Sequence, residues 1–341
     1  MNTWILLSSL YEQRAKALYP LRQPNRQCSV GGAASQPLPQ SVAERMKPAL
    51  CLGTAQFGLD YGVTNANGQV PEPGVAQLLN QASASGIWLL DTAQAYGEAE
   101  AVLGRNFPPG HAFQIISKLS AQSQSSFTEL DTVVWEEEFR RSCERLGQES
   151  LGSLLVHAPV DLRKPGSTYL EEWLLGLRNR GLVKRLGVSI YTSDDLEGVN
   201  PELLDLVQLP LSLFDQRLLQ DGTVSSLRAR GTAIHGRSLY LQGLLLIPAV
   251  EWPNWVSSAM RNHHQNLEKL AQKRGCRLID LALGFAKEQS DLEAVVVGLC
   301  STEELAELER SWPMASPWQE AEWEIWALQD ADSLDPRRWP N

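Results

Sequence analysis

The sequence lacks the patterns that mark several large classes of protein. Its cysteines are few and widely spaced and form no Cys-x-x-Cys pair, which indicates neither a disulfide framework nor a zinc cluster. They are Cys28, Cys51, Cys143, Cys276 and Cys300. No apolar run approaches the roughly 20 residues that a membrane-spanning helix needs. We therefore expect a cytoplasmic protein in a reducing compartment, without a membrane span.

Positive charge is also in short supply. Acidic residues outnumber basic ones 40 to 30, which gives a formal net charge of −10, and no Lys/Arg block is dense enough to attract nucleic acid. The expected partner is a small molecule, and the chain is expected to be a monomer or a weak homo-oligomer.

No metal site is predicted, because the adjacent His263 and His264 point about 100° apart on a helix and cannot chelate one ion.

Two nucleotide-binding motifs are missing. No Gly-x-Gly-x-x-Gly follows the first predicted strand, which weakens the case for a doubly wound open sheet. Gly53 and Gly58 have the spacing of a phosphate-binding loop, but Leu59 stands where that loop needs a lysine.

The first 45 residues differ from the rest in composition. They are rich in Pro, Ser and Gln and offer little apolar surface to bury. We expect 1–45 to be a disordered extension, with an upstream start codon and a first residue at Met46 as the second interpretation. The basic, acid-poor composition also leaves a transit peptide open.

From residue 48 onward, short apolar runs alternate with longer amphipathic ones. This alternation predicts eight strands, at 49–53, 87–90, 112–117, 154–156, 183–189, 204–208, 232–235 and 294–298. Eight such units over roughly 270 residues are typical of a closed (β/α)₈ TIM barrel, whose active site lies at the carboxyl ends of its strands. We assign 46–315 to this barrel. The tryptophan-rich stretch 316–341 is expected to pack on its exterior, with a partner-binding or substrate-lining tail as the alternative.

Polar side chains stand at the tips of three consecutive predicted strands. Asp91 follows the second strand, Lys118 the third and His157 the fourth, and Tyr96 lies in the loop after the second. A carboxylate at the end of a buried strand needs a cation, because an unpaired buried charge is costly. Lys118 is the candidate for that cation.

In this arrangement the sequence resembles the aldo-keto reductase family. The resemblance covers nearly all of 48–310, and the motifs that carry it occur in order on the expected strands. They are Leu52-Gly53-Thr54, Leu90-Asp91-Thr92-Ala93 with Tyr96-Gly97, Ser117-Lys118, His157-x-Pro159, Gly187-Val188-Ser189, Gln208-Leu209-Pro210 and Val297-Gly298.

The resemblance implies an NAD(P)H-dependent reductase with a catalytic tetrad of Asp91, Tyr96, Lys118 and His157. Tyr96 would protonate the carbonyl oxygen as hydride arrives, and Lys118 would lower the pKa of its phenol. Asp91 would hold Lys118 in place, and His157 would orient the carbonyl.

The resemblance also implies a set of cofactor-binding positions. Ser189 and Gln208 would contact the carboxamide, although Ile190 replaces the asparagine that usually follows Ser189, and Arg237 would stack on the nicotinamide. The full set is Gly53, Thr54, Asp91, Ser189, Gln208, Arg237, Ser238, Tyr240, Gln242, Gly298, Ser301 and Glu307.

The largest departure from the family comes after the last strand. The basic residues that usually hold the 2′-phosphate of NADP fall on Gly298 and Glu304, and Leu308 replaces an adenine-contacting asparagine, whereas Glu307 is retained. NADP is the first expectation. NAD preference or loose binding of either cofactor is one alternative explanation, and a phosphate held by Ser301 at the helix N-terminus is another.

Two other functions stay open at this point. Lys118 at a strand tip could form a Schiff base in a lyase. Alternatively, the barrel could bind a nicotinamide cofactor as a regulatory subunit without significant turnover. Cys300 is expected to fill space rather than act as a nucleophile.

Overall fold

The structure is a computed structural model that describes residues 47–315, 318 and 322–340. The predicted N-terminal extension, 1–45, lies outside the described residues. None of the helices in the described part of the chain combines the length and the apolar character needed to cross a bilayer.

Within the described ranges, eight parallel strands form one closed barrel. Each strand pairs with the next along the chain, and the last pairs with the first, with Gly53 opposite Gly298. The strands are β1 Ala49–Gly53, β2 Leu89–Asp91, β3 Gln114–Leu119, β4 Leu151–Val156, β5 Val183–Ser189, β6 Leu206–Pro210, β7 Ala233–Arg237 and β8 Ala294–Gly298. The predicted (β/α)₈ TIM barrel is confirmed.

Helices connect the strands and cover the outside of the barrel. Those among the described residues are α1 Glu72–Ala84, α2 Ala99–Asn106, α3 Glu129–Leu146, α4 Ser167–Asn179, α5 Arg217–Gln220, α6 Thr223–Ala229, α7 Ser258–Arg274, α8 Leu278–Glu288, α9 Thr302–Met314 and α10 Ala331–Leu334. Two of them, α7 and α8, lie between β7 and β8.

Helix α3 shows how the sequence sets these boundaries. Thr128 and Asp131 form a reciprocal capping box at its start, and Gly147 ends it in the left-handed conformation, which glycine adopts without steric cost. Trp135 and Phe139, four residues apart, are buried on one face of the helix. The capping residues and the buried apolar face therefore define the same helix.

The second strand is shifted from its prediction. The apolar run 87–90 predicted a strand that stops before Asp91, whereas β2 runs from Leu89 to Asp91, with Asp91 paired to Gly53 and to Ile116. Ile87 is buried before pairing begins and Trp88 is 40% exposed. An apolar run locates a strand approximately, but the neighbouring strands decide where parallel pairing starts and ends.

Alternation along the strands separates the interior of the barrel from its helical coat. A small buried cluster contains one residue from each of six strands: Cys51, Leu89, Ile116, Leu155, Leu206 and Ala294. Residues two positions further along a strand share the same face. Asp91, Lys118, His157 and Gln208 each follow one of these residues at that spacing, which places them above the packed interior at the carboxyl end of the barrel.

The described residues near the C-terminus pack on the two helices that precede β8. Trp318 donates from Nε1 to the carbonyl of Leu281 at 2.9 Å. The ring of Trp323 lies 5.4 Å from that of Phe285. Trp339 is buried beside Trp255, with ring centroids 5.1 Å apart. These contacts place the final segment on α8 and on the loop before α7, and Trp326 adds a contact with His263 of α7.

The two adjacent histidines of α7 face different neighbours. Nε2 of His263 lies 3.0 Å from the carbonyl oxygen of Trp326, and Nε2 of His264 lies 3.2 Å from that of Leu245. Each ring is therefore engaged with backbone. The expectation that they hold no metal stays a prediction.

Candidate active site

A buried ion pair lies at the centre of the site. Nζ of Lys118 donates to both carboxylate oxygens of Asp91, at 2.8 and 2.7 Å, and to the carbonyl oxygen of Thr92 at 2.9 Å. Gln208 donates a further hydrogen bond from Nε2 to Oδ1 of Asp91 at 2.7 Å. Both charged groups have further hydrogen-bond partners, which offset the cost of removing the two charges from water.

Lys118 remains an ammonium in this environment. Burial lowers its pKa, but the neighbouring Asp91 and Tyr96 raise it, and the net direction is upward from the ordinary value. A charged lysine is a poor nucleophile toward a carbonyl. The geometry thus favours an electrostatic role for Lys118 over Schiff-base formation.

Tyr96 lies beside this pair, on the loop that follows β2. Nζ of Lys118 is 5.0 Å from the centroid of the Tyr96 ring. The backbone of the loop is held by two bonds, from the amide of Tyr96 to the carbonyl of Ala93 at 3.0 Å and from Ala99 to the carbonyl of Tyr96 at 3.0 Å. The phenol is therefore presented to the cleft from a fixed turn.

The phenol of Tyr96 is protonated at neutral pH. Burial raises its pKa above the ordinary value of 10.0, and the positive charge of Lys118 lowers it by a smaller amount. Lys118 acts on the phenol in the direction expected from the sequence, but burial is the larger effect and the net shift of the pKa is upward. Tyr96 thus holds a proton that a nearby cation makes easier to release.

His157 completes the group from the loop after β4. Its backbone amide donates to the carbonyl of Leu119 at 3.2 Å, and its ring lies edge-on to that of Tyr96, with centroids 5.9 Å apart. Burial, followed by the charges of Lys118 and Arg237, lowers the pKa of His157 to about 4. The imidazole is neutral at pH 7 and can donate a hydrogen bond through one ring nitrogen.

A cleft of about 460 Å³ opens over these residues. This volume is in the range of small-molecule and cofactor sites. The residues singled out in the sequence that line it are Gly53, Thr54, Asp91, Tyr96, His157, Ser189, Gln208, Arg237, Ser238, Tyr240, Gln242, Gly298, Cys300, Glu304, Glu307 and Leu308. Of the predicted catalytic and cofactor-binding residues, Lys118 and Ser301 do not line the cleft.

Some of these residues already have partners within the protein. Thr54 donates from Oγ1 to the carbonyl of Asp91 at 2.9 Å, so it fixes the backbone at the tip of β2. Gln208 donates to the carboxylate of Asp91, which leaves its carbonyl oxygen as the group that can accept from a carboxamide. Ser189 ends β5 and is 1% exposed.

The loop after β7 has an unusual backbone. Ser238, Leu241 and Gln242 adopt positive φ angles of 62°, 47° and 54°, a region that non-glycine residues enter at a cost. Gln242 accepts hydrogen bonds from the amide and the hydroxyl of Thr64, at 3.4 and 3.3 Å. This contact joins the loop to the segment between β1 and α1, so both sides of the cleft are tied together.

Arg237 ends β7 and takes part in an aromatic stack. It donates from Nη2 to the carbonyl of Ile190 at 2.9 Å, and its guanidinium carbon lies 4.1 Å from the centroid of Tyr191. Arg337, near the C-terminus, lies 3.8 Å from the same centroid. Two cations therefore share one ring, and Arg237 is held with its planar group at the cleft.

Ser301 and Glu304 cap the helix after β8 rather than leaving its N-terminus free. Oγ of Ser301 accepts from the amide of Glu304 at 3.2 Å, and Oε2 of Glu304 accepts from the amide of Cys300 at 2.6 Å. Burial, followed by the charge of Glu304, raises the pKa of Cys300 to about 11. Its thiol is therefore protonated at neutral pH.

Several residues that line the cleft were not identified from the sequence, among them Tyr191, Gln56 and Tyr61. Tyr191 stands two residues after Ser189 at the tip of β5, so the strand-tip rule that found Asp91 could have found it. Gln56 and Tyr61 lie in the segment after β1, where no periodicity marks them. Burial raises the pKa of Tyr61 to about 12, so this phenol is also protonated.

The fold and the site together define a class: barrels that place a tyrosine, a lysine, an aspartate and a histidine around one cleft at the carboxyl ends of their strands. The sequence profile of the Aldo/keto reductase family matches residues 49–326. The chain therefore belongs to the aldo-keto reductase family, and the resemblance read from its motifs is confirmed.

Individual relatives agree with this assignment. The chain is 26% identical to the D-arabinose 1-dehydrogenase of Saccharomyces cerevisiae over 275 residues, which are 75% of this chain and 80% of the yeast protein. It is 30% identical over 139 residues to an aldo-keto reductase of Mycolicibacterium vanbaalenii. That second match spans 39% of this chain and about half, 46%, of the mycobacterial protein.

Solved structures show the same fold at low identity. An aldo-keto reductase structure from Pseudomonas aeruginosa aligns with a TM-score of 0.57 at 22% identity, over 79% of this chain and 91% of that one. The glycerol dehydrogenase of Gluconobacter oxydans aligns with a TM-score of 0.61 at 20% identity, over 86% and 92% of the two chains. At these identities the likeness concerns the fold alone.

Proposed function

We propose that the protein is a carbonyl reductase that uses a nicotinamide cofactor and protonates the carbonyl oxygen from Tyr96. The observation that carries this proposal is the contact of a protonated phenol with a buried ammonium, itself held by Asp91. Family membership supports the same reaction class.

The cleft has the features that a dinucleotide needs. Its volume suits a cofactor, and two of its lining groups, Oε1 of Gln56 and the hydroxyl of Tyr240, are buried without a hydrogen-bond partner among the described residues. Such groups are costly unless a ligand or water satisfies them. The planar guanidinium of Arg237 is held where it could stack on an aromatic ring. A bound nicotinamide would supply the hydride.

Each tetrad residue then has one task at a stated atom. Tyr96 releases the proton of its hydroxyl to the carbonyl oxygen of the substrate, and the charge of Lys118 stabilises the phenolate that results. The Asp91 carboxylate keeps Lys118 charged and in place. The neutral ring of His157 donates a hydrogen bond to the same carbonyl oxygen and fixes its orientation.

A small polyhydroxylated carbonyl compound is the substrate class that we propose. The yeast relative acts, by its name, on D-arabinose. The cleft beside Tyr96 offers polar side chains, including Tyr61 and Tyr191, with which sugar hydroxyls can bond. A cytoplasmic location and a monomeric or weakly associated state remain predictions.

The direct test is consumption of NADH or NADPH by the purified protein with a panel of aldoses and simple aldehydes. We expect Tyr96→Phe to lower kcat by about 100-fold or more, because general acid catalysis contributes a factor of that size. Tyr169→Phe, which removes a hydroxyl from the outer helix α4, should keep the activity of the unmodified protein. Equal activity of Tyr96→Phe and the unmodified protein would exclude Tyr96 as the proton donor.

The regulatory alternative gives a different result in the same assay. Cofactor binding by titration, with no turnover across the panel, would favour a binding subunit. Trapping of a substrate on Lys118 by borohydride would instead favour a Schiff-base lyase.

A further inference from the structure

One end of the cleft is acidic. Glu304 and Glu307, at the start of α9, both line it. Arg237 is the one lysine or arginine among the described lining residues. Its charge acts on Tyr96 and His157, whereas Glu304 and Glu307 act on Tyr240. The end beside α9 therefore offers carboxylates and no cation to a ligand.

The helix N-terminus at this end is already occupied by a side chain. The first turn of a helix has free amide groups that commonly bind a phosphate. Here Glu304 accepts from the amide of Cys300, and Ser301 accepts from the amide of Glu304. The Glu304 carboxylate thus lies at the start of the helix, and it carries the same sign of charge as a phosphate.

Neighbouring residues do not supply the missing cation. Gly298 has no side chain, and a Cβ built on it would lie 2.7 Å from Nε2 of Gln56, which fills that space. The Arg277 guanidinium already donates hydrogen bonds to the carboxylates of Asp280 at 2.9 Å and Glu307 at 2.6 Å, and to the hydroxyl of Ser311 at 2.6 Å. A phosphate here would face Glu304 without a counter-charge.

The same groups suit a ligand that carries hydroxyls. A carboxylate that accepts hydrogen bonds from the ribose hydroxyls is the usual device for recognising a ribose without a 2′-phosphate. The hydroxyl of Tyr240 is buried at this end and lacks a partner among the described residues. Burial, then Glu307 and Glu304, raise its pKa, which places it within the influence of both carboxylates and keeps it protonated.

We infer that this end of the cleft binds an adenosine ribose with a free 2′-hydroxyl and that the protein selects NAD(H) over NADP(H). The inference rests on the proposed function, because it concerns the same cofactor. It replaces the sequence-based preference for NADP, and it also sets aside the idea that Ser301 receives the phosphate. Glu304 is the selecting residue: it accepts from the ribose and repels a 2′-phosphate.

Binding can be measured without turnover. Quenching of tryptophan fluorescence, or calorimetry, gives Kd for NADH and NADPH, and a second pair of titrations compares 5′-AMP with adenosine 2′,5′-bisphosphate. We expect NADH to bind about tenfold or more tightly than NADPH, a factor worth about 1.4 kcal/mol. The two adenosine fragments should show the same order.

Two matched variants isolate the role of Glu304. Glu304→Gln removes its charge, and glutamine also serves in a capping box, so the start of α9 is retained. Its NADH to NADPH affinity ratio should fall by about threefold to tenfold. Glu303→Gln removes a neighbouring exposed carboxylate that does not line the cleft, and it should leave the ratio unchanged.

The outcomes separate this inference from the proposed function. If the unmodified protein binds NADPH as tightly as NADH, or more tightly, the inference is overturned and the reductase proposal stands. If both variants change the ratio equally, the selection comes from overall charge and the role of Glu304 is overturned. If neither dinucleotide binds, the proposed function fails together with the inference.

Discussion

Lys118 and Asp91 form a fully enclosed ion pair at the base of the cleft, with side chains from adjacent strands. The residues are 0% and 3% exposed, and Nζ reaches both carboxylate oxygens within 2.8 Å. An ion pair in this position acts on its neighbours without meeting solvent. The charge of Lys118 lowers the pKa of both Tyr96 and His157, which do line the cleft, although burial is the larger cause at each residue.

The ion pair should behave as a unit in a double-mutant cycle. Lys118→Met leaves the Asp91 carboxylate buried without its cation, and we expect the free energy of unfolding to fall by about 3 kcal/mol. Asp91→Asn leaves the ammonium unpaired, with a loss of similar size. The double variant should lose much less than the sum of the two, because no unpaired charge remains.

Chemical denaturation of the four proteins measures this coupling. All three variants should also lose turnover, since the charge beside Tyr96 is gone or misplaced. Additive losses of stability in the double variant would mean that the two residues do not depend on each other.

The low pKa of His157 should appear in the pH dependence of stability. Its pKa is about 4 in the folded protein, against an ordinary value of 6.5. Between pH 4 and pH 6.5 the unfolded chain binds more protons than the folded protein, so the free energy of unfolding decreases as the pH falls through this range. Above pH 6.5 the contribution of the neutral His157 is complete. His157→Gln has no such proton to bind and should lose less stability between pH 6.5 and pH 4.

Urea denaturation at several pH values compares the two proteins, in which all other titrating groups are shared. Parallel curves would show that His157 titrates normally in the folded state. Between pH 6 and pH 8 we expect no ionisation of His157 in the activity profile of the unmodified protein.

Gly58 should be required for the position of Tyr96. A Cβ at Gly58 would lie 1.9 Å from the carbonyl oxygen of Tyr96 and 2.4 Å from the amide nitrogen of Ala99. Gly58→Ala must displace the loop that carries the phenol, and we expect a loss of about 2 kcal/mol in stability together with a fall in kcat.

Gly176→Ala provides the matched control for this substitution. A Cβ at Gly176 meets no atom of the described residues within 4 Å, and the position lies inside α4. Alanine there should raise the free energy of unfolding by about 0.5–1 kcal/mol and leave kcat unchanged. If Gly58→Ala kept full activity, the close approach between the two loops would not position Tyr96.

Arg337 should influence the cleft from the C-terminal segment. It lies over the Tyr191 ring, which Arg237 also contacts, and it is held by the buried Asp335 at 2.6 Å. Arg337→Ala removes one cation from the ring, and we expect the KM of cofactor or substrate to rise by about twofold to tenfold with little change in kcat.

The control for this prediction is the adjacent Arg338→Ala. The side chain of Arg338 is 57% exposed and pairs with the exposed Asp332, so its loss should leave both kinetic constants unchanged. Steady-state kinetics distinguish the two variants. If Arg337→Ala and the unmodified protein had equal kcat and KM, the contact of Arg337 with the Tyr191 ring would have a structural role only.

The order of the strands and the polar residues near their carboxyl ends could be predicted because they depend on local patterns. The apolar runs located all eight strands, and polar residues that interrupt them marked Asp91, Lys118 and His157. Exact ends could not be predicted, since pairing with neighbouring strands set them. Tyr61 and Gln56 were missed because the segment after β1 has no period that reveals which side chains face the cleft.

The sequence by itself determined the barrel, its family and the chemical types at the strand tips, because alternation and spacing act through the chain's own backbone geometry. Only the tertiary structure decided how those groups are tuned. The burial of Tyr96 outweighs the effect of Lys118 on its pKa, and that balance depends on packing from several strands. The structure likewise showed that the Glu304 carboxylate accepts a hydrogen bond from the amide of Cys300. This acidic residue, which departs from the usual sequence of the family, therefore has a defined position in the cleft.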